Sequence, residues 1–185
     1  MKKLLSAALL SVLLLYSQSP AAAQKTATVQ IYSSPEMNLG EMDRSILDQV
    51  GQAARVNFAA HVLSDSSIMD TLRSAAERGA HIRIYLDPRE LEKLTLSNDH
   101  PFVKLWRTRN VEIKVKSQND GSMHMKAYSV NGVLLRTGSA NESHSGLERQ
   151  DNDLVVITDK DAVTAFDRKF EMMWARPSNQ KFSFE

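Results

Sequence analysis

His124-Met125-Lys126, followed by Gly138-Ser139-Ala140-Asn141, is the stretch of this 185-residue chain whose residue types and spacing could do chemistry. In a strand, residues two apart share a face, so His124 and Lys126 are expected to point the same way. Met123 to Val130 reads as that strand, and Asn131-Gly132 is a strong hairpin signal. The returning strand, Val133 to Thr137, then ends at Gly138-Ser139, back in the neighbourhood of His124. Gly138 lets the backbone bend, while Ser139 and Asn141 present a hydroxyl and an amide. One nucleophile or base, one fixed cation and two neutral donors suit a phosphodiester. Lys126, Ser139 and Asn141 can hold the non-bridging oxygens while His124 reaches phosphorus.

The elements that must position these groups are legible as patterns. Thr28 to Tyr32 is β-rich and alternating, and Glu41 to Ala53 carries Met42, Ile46, Val50 and Ala53 at helical spacing. Arg55 to Leu63 reads as a strand with Val56, Phe58, Ala60 and Val62 on one face. Ser64 to Ser67 offers cap chemistry for a helix through Ile68, Leu72 and Ala75-Ala76, which Gly79 ends. His81 to Leu86 is the next strand, stopped by Asp87-Pro88. A strand–helix–strand unit of this length predicts a parallel crossover buried by helices. Glu90 to Leu96 and Pro101 to Arg109 read as short helices, Val111 to Val115 as a strand and Ser117 to Ser122 as a loop. Leu154 to Ile157 is a last strand, Asp159 to Trp174 a closing helix, and the chain from Pro177 onward reads as frayed.

Composition narrows the class. Lys and Arg total 23 against 22 Asp and Glu, a formal net charge of +1, with 42% hydrophobic and 24% charged residues. This is ordinary globular usage, not a disordered tail or a multi-span membrane protein. The absence of cysteine excludes a disulfide scaffold, a thiolate nucleophile and a zinc ribbon. With net charge near zero, polyanion binding must come from a local patch. Met1-Lys2-Lys3, the apolar run Leu4 to Tyr16 and the small residues Ala21-Ala22-Ala23 have the layout of a secretory signal. The apolar run is too short for a membrane span of about 20 residues. Residues 1–23 are therefore expected to be a signal peptide cleaved after Ala23, leaving one domain over residues 24–185 in a secreted or periplasmic protein.

The segment HMKAYSVNGVLLRTGSAN, His124 to Asn141, resembles the phospholipase D superfamily signature H-x-K-x(4)-D-x(6)-G-S-x-N. Five such fixed residues recur by chance in roughly one chain in 10⁴ to 10⁵ at average residue usage. The likeness extends to the small single-domain bacterial endonucleases of that superfamily through YSSPEM, FAAHVLSDSSIMDTLRSAAERGAHIRIYLD, DLVVI and the last helix. It implies an α/β/α sandwich around a central mixed sheet, with one motif per chain. It also implies metal-independent, cofactor-free hydrolysis in two steps through a phosphohistidine on His124, with Lys126, Ser139 and Asn141 as catalytic and substrate-binding partners. Relatives with two motif copies use the second histidine as general acid. A single-copy chain must borrow it from another protomer, so the resemblance implies a homodimer sharing one active site.

Two positions depart from the pattern. The signature Asp falls on Asn131, and the acid that supports the nucleophilic histidine in the small endonucleases falls on Asn152. Asp151 or Asp153 could replace it with a one-residue offset, with Glu142 and Glu148 behind them. His61, His81, His100 and His144 read as structural, although His61 lies where a sheet edge could meet substrate. Lys104, Arg107, Arg109, Lys114 and Lys116 form either a solvated face or a phosphate-tracking patch, and Trp106 reads as core. No nucleotide loop, metal-ligand spacing or Ser–His–Asp order is present. The expected substrate is DNA or RNA. Hydrolysis of phospholipid headgroups and non-catalytic phosphate or nucleic-acid binding are the alternatives. Aromatic residues are 6% of the chain and no aromatic-rich amphipathic helix offers to dock a bilayer, which favours nucleic acid.

Overall fold

The structure is a computed structural model and describes residues 26–185. The expected signal peptide, residues 1–23, lies outside the described residues. In chain order the elements are β1 (Val29–Ser34), α1 (Leu39–Asp48), β2 (Arg55–Ala60), α2 (Ser66–Glu77), β3 (His81–Leu86), α3 (Pro88–Leu91) and α4 (Pro101–Arg107). They continue with β4 (Val111–Val115), β5 (Lys126–Val130), β6 (Leu134–Gly138), α5 (His144–Glu148), β7 (Asn152–Ile157), α6 (Lys160–Trp174) and β8 (Gln180–Lys181). All eight strands form one mixed sheet in the order β1-β7-β6-β5-β2-β3-β4-β8.

The crossover unit reads as its sequence requires. Asp65 caps α2 by accepting from Ile68 N–H, and Gly79, at φ +103°, turns the chain out of the helix. β3 then pairs parallel with β2, and β4 parallel with β3, while β5 joins β2 antiparallel. Val56, Phe58 and Ala60 of β2, with Ile82, Ile84 and Leu86 of β3, enter one core beneath α1, α2 and α4. The opposite face packs Ala59, Tyr85, Ala127 and Leu135 under Phe166, Phe170 and Trp174 of α6. Helices on both faces of a mixed sheet give the α/β/α sandwich.

Several boundaries differ from the sequence reading. α1 stops at Asp48, because the chain turns through Gly51 and a left-handed Ala53 (φ 59°) rather than continuing to Ala53 as helix. β2 ends at Ala60, three residues short of Leu63. α3 starts earlier and is shorter than Glu90 to Leu96, because Asp87 caps it and Pro88 occupies its first position. β5 begins at Lys126, which leaves His124 in the approach to the strand. α5 carries no apolar period of its own and was not expected. The tail after Pro177 is held, not frayed. β8 pairs with β4, and the Phe182 ring meets Phe102 and Trp106 edge-on at 5.0 and 5.4 Å. Trp106 is thereby a packing residue.

Candidate active site

Strand register brings the two halves of the motif together. Ala60 at the end of β2 is level with Lys126 at the start of β5, and β5 pairs antiparallel with β6 through Tyr128 opposite Arg136. Extending that register places Gly138 beside Lys126. At φ +144°, Gly138 lies against the Asp153 carbonyl, where a Cβ would clash with backbone, so only glycine fits this bend. The fully buried Arg136 guanidinium ties the halves directly, with NH1 donating to Lys126 O at 3.1 Å and to Ala140 O at 3.3 Å. The site therefore lies at the carboxyl end of the parallel strands β2 and β3, where α/β sheets bind ligands.

His124 is exposed and Lys126 is buried. Lys126 Nζ sits 3.2 Å from His124 Nδ1, 3.4 Å from Nε2 and donates to the His124 carbonyl at 3.1 Å. Burial pulls the Lys126 ammonium below its usual range, and the carboxyls of Glu142 and Glu90 pull it back. A cation pinned within hydrogen-bond reach of an accessible imidazole can neutralise an anion that the imidazole attacks.

Ser139 and Asn141 follow β6 into the same region. Ser139 N–H donates to Asp153 Oδ1 at 3.0 Å, and its hydroxyl oxygen accepts from Asp153 N–H at 2.9 Å. Hydrogen bonding from the Ser139 side chain and N–H outweighs burial and holds the Asp153 carboxyl below its usual range. Asn141 is half-buried, and its Oδ1 is buried with no hydrogen-bond partner among the described residues. Glu142, next in the chain, is fully buried. Its Oε1 lies 3.3 Å from Arg136 NH1, yet neither of its oxygens receives a hydrogen bond. Burial pushes this carboxyl up to about 8 against the pull of Arg136.

The candidate supporting residues make these contacts. Asn152 donates from Nδ2 to Gly146 O at 2.9 Å and to Gln150 Oε1 at 3.2 Å, so it ties down α5. Asp153 serves Ser139, and Asp151 is exposed. Asn131 occupies the β5–β6 turn at φ 53°, where its Oδ1 accepts from Arg55 N–H at 2.8 Å. Five residues beyond Lys126, it stands roughly 17 Å along the strand from the site. His100 caps α4 and His144 faces Glu148, as structural histidines. The basic patch is largely committed: Lys114 donates to Trp174 O at 2.9 Å, Lys116 to the Gly121 carbonyl, and Arg107 to Asn98.

Asp87 joins the site without having been placed there from sequence, and so does His61, which reads as structural although it lies where a sheet edge could meet substrate. Asp87, buried at the end of β3, accepts from Met123 N–H at 2.7 Å and from the Ser122 hydroxyl at 2.9 Å, fixing the approach to His124. Burial alone would raise its carboxyl, but these bonds and the one from Arg89 N–H hold it low. Its Asp-Pro context advertises only a helix cap. His61, just past β2, lies with its ring centroid 4.3 Å from that of His124. That placement depends on the long-range pairing of β2 with β5, which no local pattern encodes. Among the described residues, no group of three or more His, Asp or Glu is arranged to hold a metal ion.

Comparison with known proteins gives concordant matches. The family described as cardiolipin synthase, PLD-like domain, matches residues 46–174. The mitochondrial cardiolipin hydrolase of Chlamydomonas reinhardtii is 22% identical over 129 residues, covering 69% of this chain and 55% of that protein. The chain thus spans about half the length of that relative. The fold is similar to Nuc from Salmonella typhimurium, a phospholipase D family member, with TM-score 0.71, 20% identity and coverage of 86% of this chain and all of that one. It is equally similar to NucT from Helicobacter pylori, with TM-score 0.72, 17% identity, and coverage of 85% of this chain and all of that one.

Proposed function

The chain belongs to the phospholipase D-like domain family, and on that premise we propose that it is a metal-independent phosphodiesterase working through a phosphohistidine. The observation that carries this reading is the convergence of Lys126 Nζ on the exposed His124 imidazole, with both motif halves tied by Arg136. A His124 ring nitrogen attacks phosphorus while Lys126, Ser139 and Asn141 hold the non-bridging oxygens. The P–O bond to the leaving group breaks as the P–N bond forms, and the leaving oxygen takes a proton. Water then attacks phosphorus, the P–N bond breaks and a phosphomonoester departs.

The proton donor is the His124 of a second protomer across a two-fold axis, which later accepts a proton from the attacking water. In favour of such a partner, Val29 and Ile31 are 63% and 67% exposed on β1. By register they share a face with Val155 and Ile157, while α6 packs on β6, β2 and β5. A second copy laid on this face would cover them.

Nucleic acid is the favoured substrate, and the secretory-signal layout of the N-terminus supports a secreted or periplasmic protein. The second reading is a phospholipid headgroup. It is favoured by the cardiolipin hydrolase relative and by the name of the matching family. The deciding experiment incubates wild type and His124→Ala in EDTA with plasmid, single-stranded DNA, RNA and phospholipid vesicles. Nucleic-acid cleavage by wild type alone is expected, and headgroup release alone would move the protein to the lipid reading. Silence on every substrate with polyanion binding retained would leave a binding module. Sedimentation tests the dimer, since a fully active monomer contradicts the shared site.

A further inference from the structure

His61 makes three contacts around the nucleophile, one on each side of it in sequence and one to its ring. Its backbone N–H donates to Met125 O at 2.8 Å, and its ring Nδ1 lies 3.1 Å from Met123 O. A carbonyl can only accept, so Nδ1 carries the proton and Nε2 is bare. The ring itself rests on the His124 imidazole, centroids 4.3 Å apart and planes tilted 45°. Met123 is held from its other side as well, by its N–H bond to Asp87. The residues flanking His124 are thus clamped, and the imidazole they carry has His61 against it.

Burial comes first among the causes that hold the His61 ring below its ordinary 6.5, with Lys126 and His124 adding to it and Met123 O and Glu90 opposing. The ring is therefore neutral at pH 7, which preserves the single Nδ1–H tautomer the Met123 bond requires. Glu90 stands 3.9 Å from Nε2, beyond hydrogen-bond distance, and is paired with Lys93 at 2.6 Å. Asp87 is the other carboxylate facing this ring, and it is taken up by the Met123 and Ser122 bonds.

We propose that His61 is a positioning residue, contributed by the same chain, that orients the His124 imidazole where Asn152 carries no carboxylate. The inference rests on His124 being the nucleophile. It gives a physical role to a histidine that lies outside the motif. Losing its ring frees Met123 O and the His124 imidazole together, while the backbone bond to Met125 O remains.

The test is NMR of the full chain with 15N-labelled histidine, comparing wild type with His61→Gln and His61→Phe, alongside steady-state kinetics. Gln keeps a donor for Met123 O and Phe keeps a ring against His124, so neither empties the end of β2. The His124 ring signals are expected to shift or broaden in both variants while the amide signals of the core strands stay in place. The turnover number is expected to fall about tenfold or more, with KM changed by less than about twofold, as for a misaligned nucleophile. His124 ring signals that coincide with wild type in both variants overturn the proposal. Wild-type silence on every phosphodiester would instead sink the hydrolase reading, and the ring comparison would still decide the role of His61.

Discussion

Arg136 and Asp43 meet in a fully buried, two-pronged ion pair, Nε to Oδ1 at 2.9 Å and NH2 to Oδ2 at 2.8 Å. Tyr128 completes it, its hydroxyl donating to Asp43 Oδ1 at 2.9 Å. The third prong of Arg136 holds the carbonyls of Lys126 and Ala140, so α1 reaches the active site through one guanidinium. Removing one partner strands a buried charge, which costs about 3–5 kcal/mol. Asp43→Asn is therefore expected to lower the urea midpoint sharply and to loosen the approach of Lys126 to Gly138. Unchanged stability would mean that the pair contributes nothing beyond its own desolvation.

Lys126 is the cation closest to the nucleophile, and its ammonium also anchors the His124 carbonyl. Lys126→Met keeps the stem and removes the charge. The expected loss in turnover is about 10² to 10³, the usual cost of deleting one donor to a developing oxyanion. Lys126→Arg should rescue little, because a planar fork cannot occupy the point site of an ammonium buried beside the His124 ring. Single-turnover kinetics on a chosen phosphodiester would read both, and full activity in Lys126→Met would exclude the cation from the reaction.

How far the sequence carried the structure depended on whether the cause was local. The strand β3 and the cap at Asp65 came out as read because alternation and cap chemistry lie within a few residues of each other. The Asn131-Gly132 turn likewise followed from residues that accept positive φ. The role of Asp87 and the contacts of His61 did not, because each acts on residues 122–125 from strands far away in sequence. α5 escaped notice because its five residues are held by the Ser143 cap and Asn152 rather than by a periodic apolar face. The tail was misread as loose because Phe182 finds its partners, Phe102 and Trp106, only after the sheet has formed.

Asn131 stands where the family signature has aspartate, and its job here is conformational. It sits at positive φ and bonds Arg55 N–H at the end of β5 remote from His124. Restoring the signature with Asn131→Asp is expected to change activity by less than about twofold, since a charge this distant is screened. Asn131→Ala loses the bond and strains the turn, and should cost about 1–2 kcal/mol in a denaturant titration. A large gain in activity for Asn131→Asp would show that the turn carboxylate reaches the histidine electrostatically.

Glu142 gives the clearest pH signature. Its carboxyl is buried without a hydrogen bond, faced by Arg136 of β6, Asp43 of α1, and Lys126 and Tyr128 of β5. Desolvation raises it to about 8 from an ordinary 4.5, more than Arg136 and Lys126 lower it. The folded protein therefore keeps a proton that the unfolded chain releases. Stability from this group is full below pH 4.5 and drains away as pH rises to about 8, by an amount on the order of a few kcal/mol. Glu142→Gln mimics the protonated form, so it should match wild type near pH 4.5 and exceed it at pH 9. Urea midpoints for both proteins across that range make the comparison. Parallel curves would mean that Arg136 and Lys126 keep Glu142 ionised throughout, as a third buried charge rather than a neutral acid.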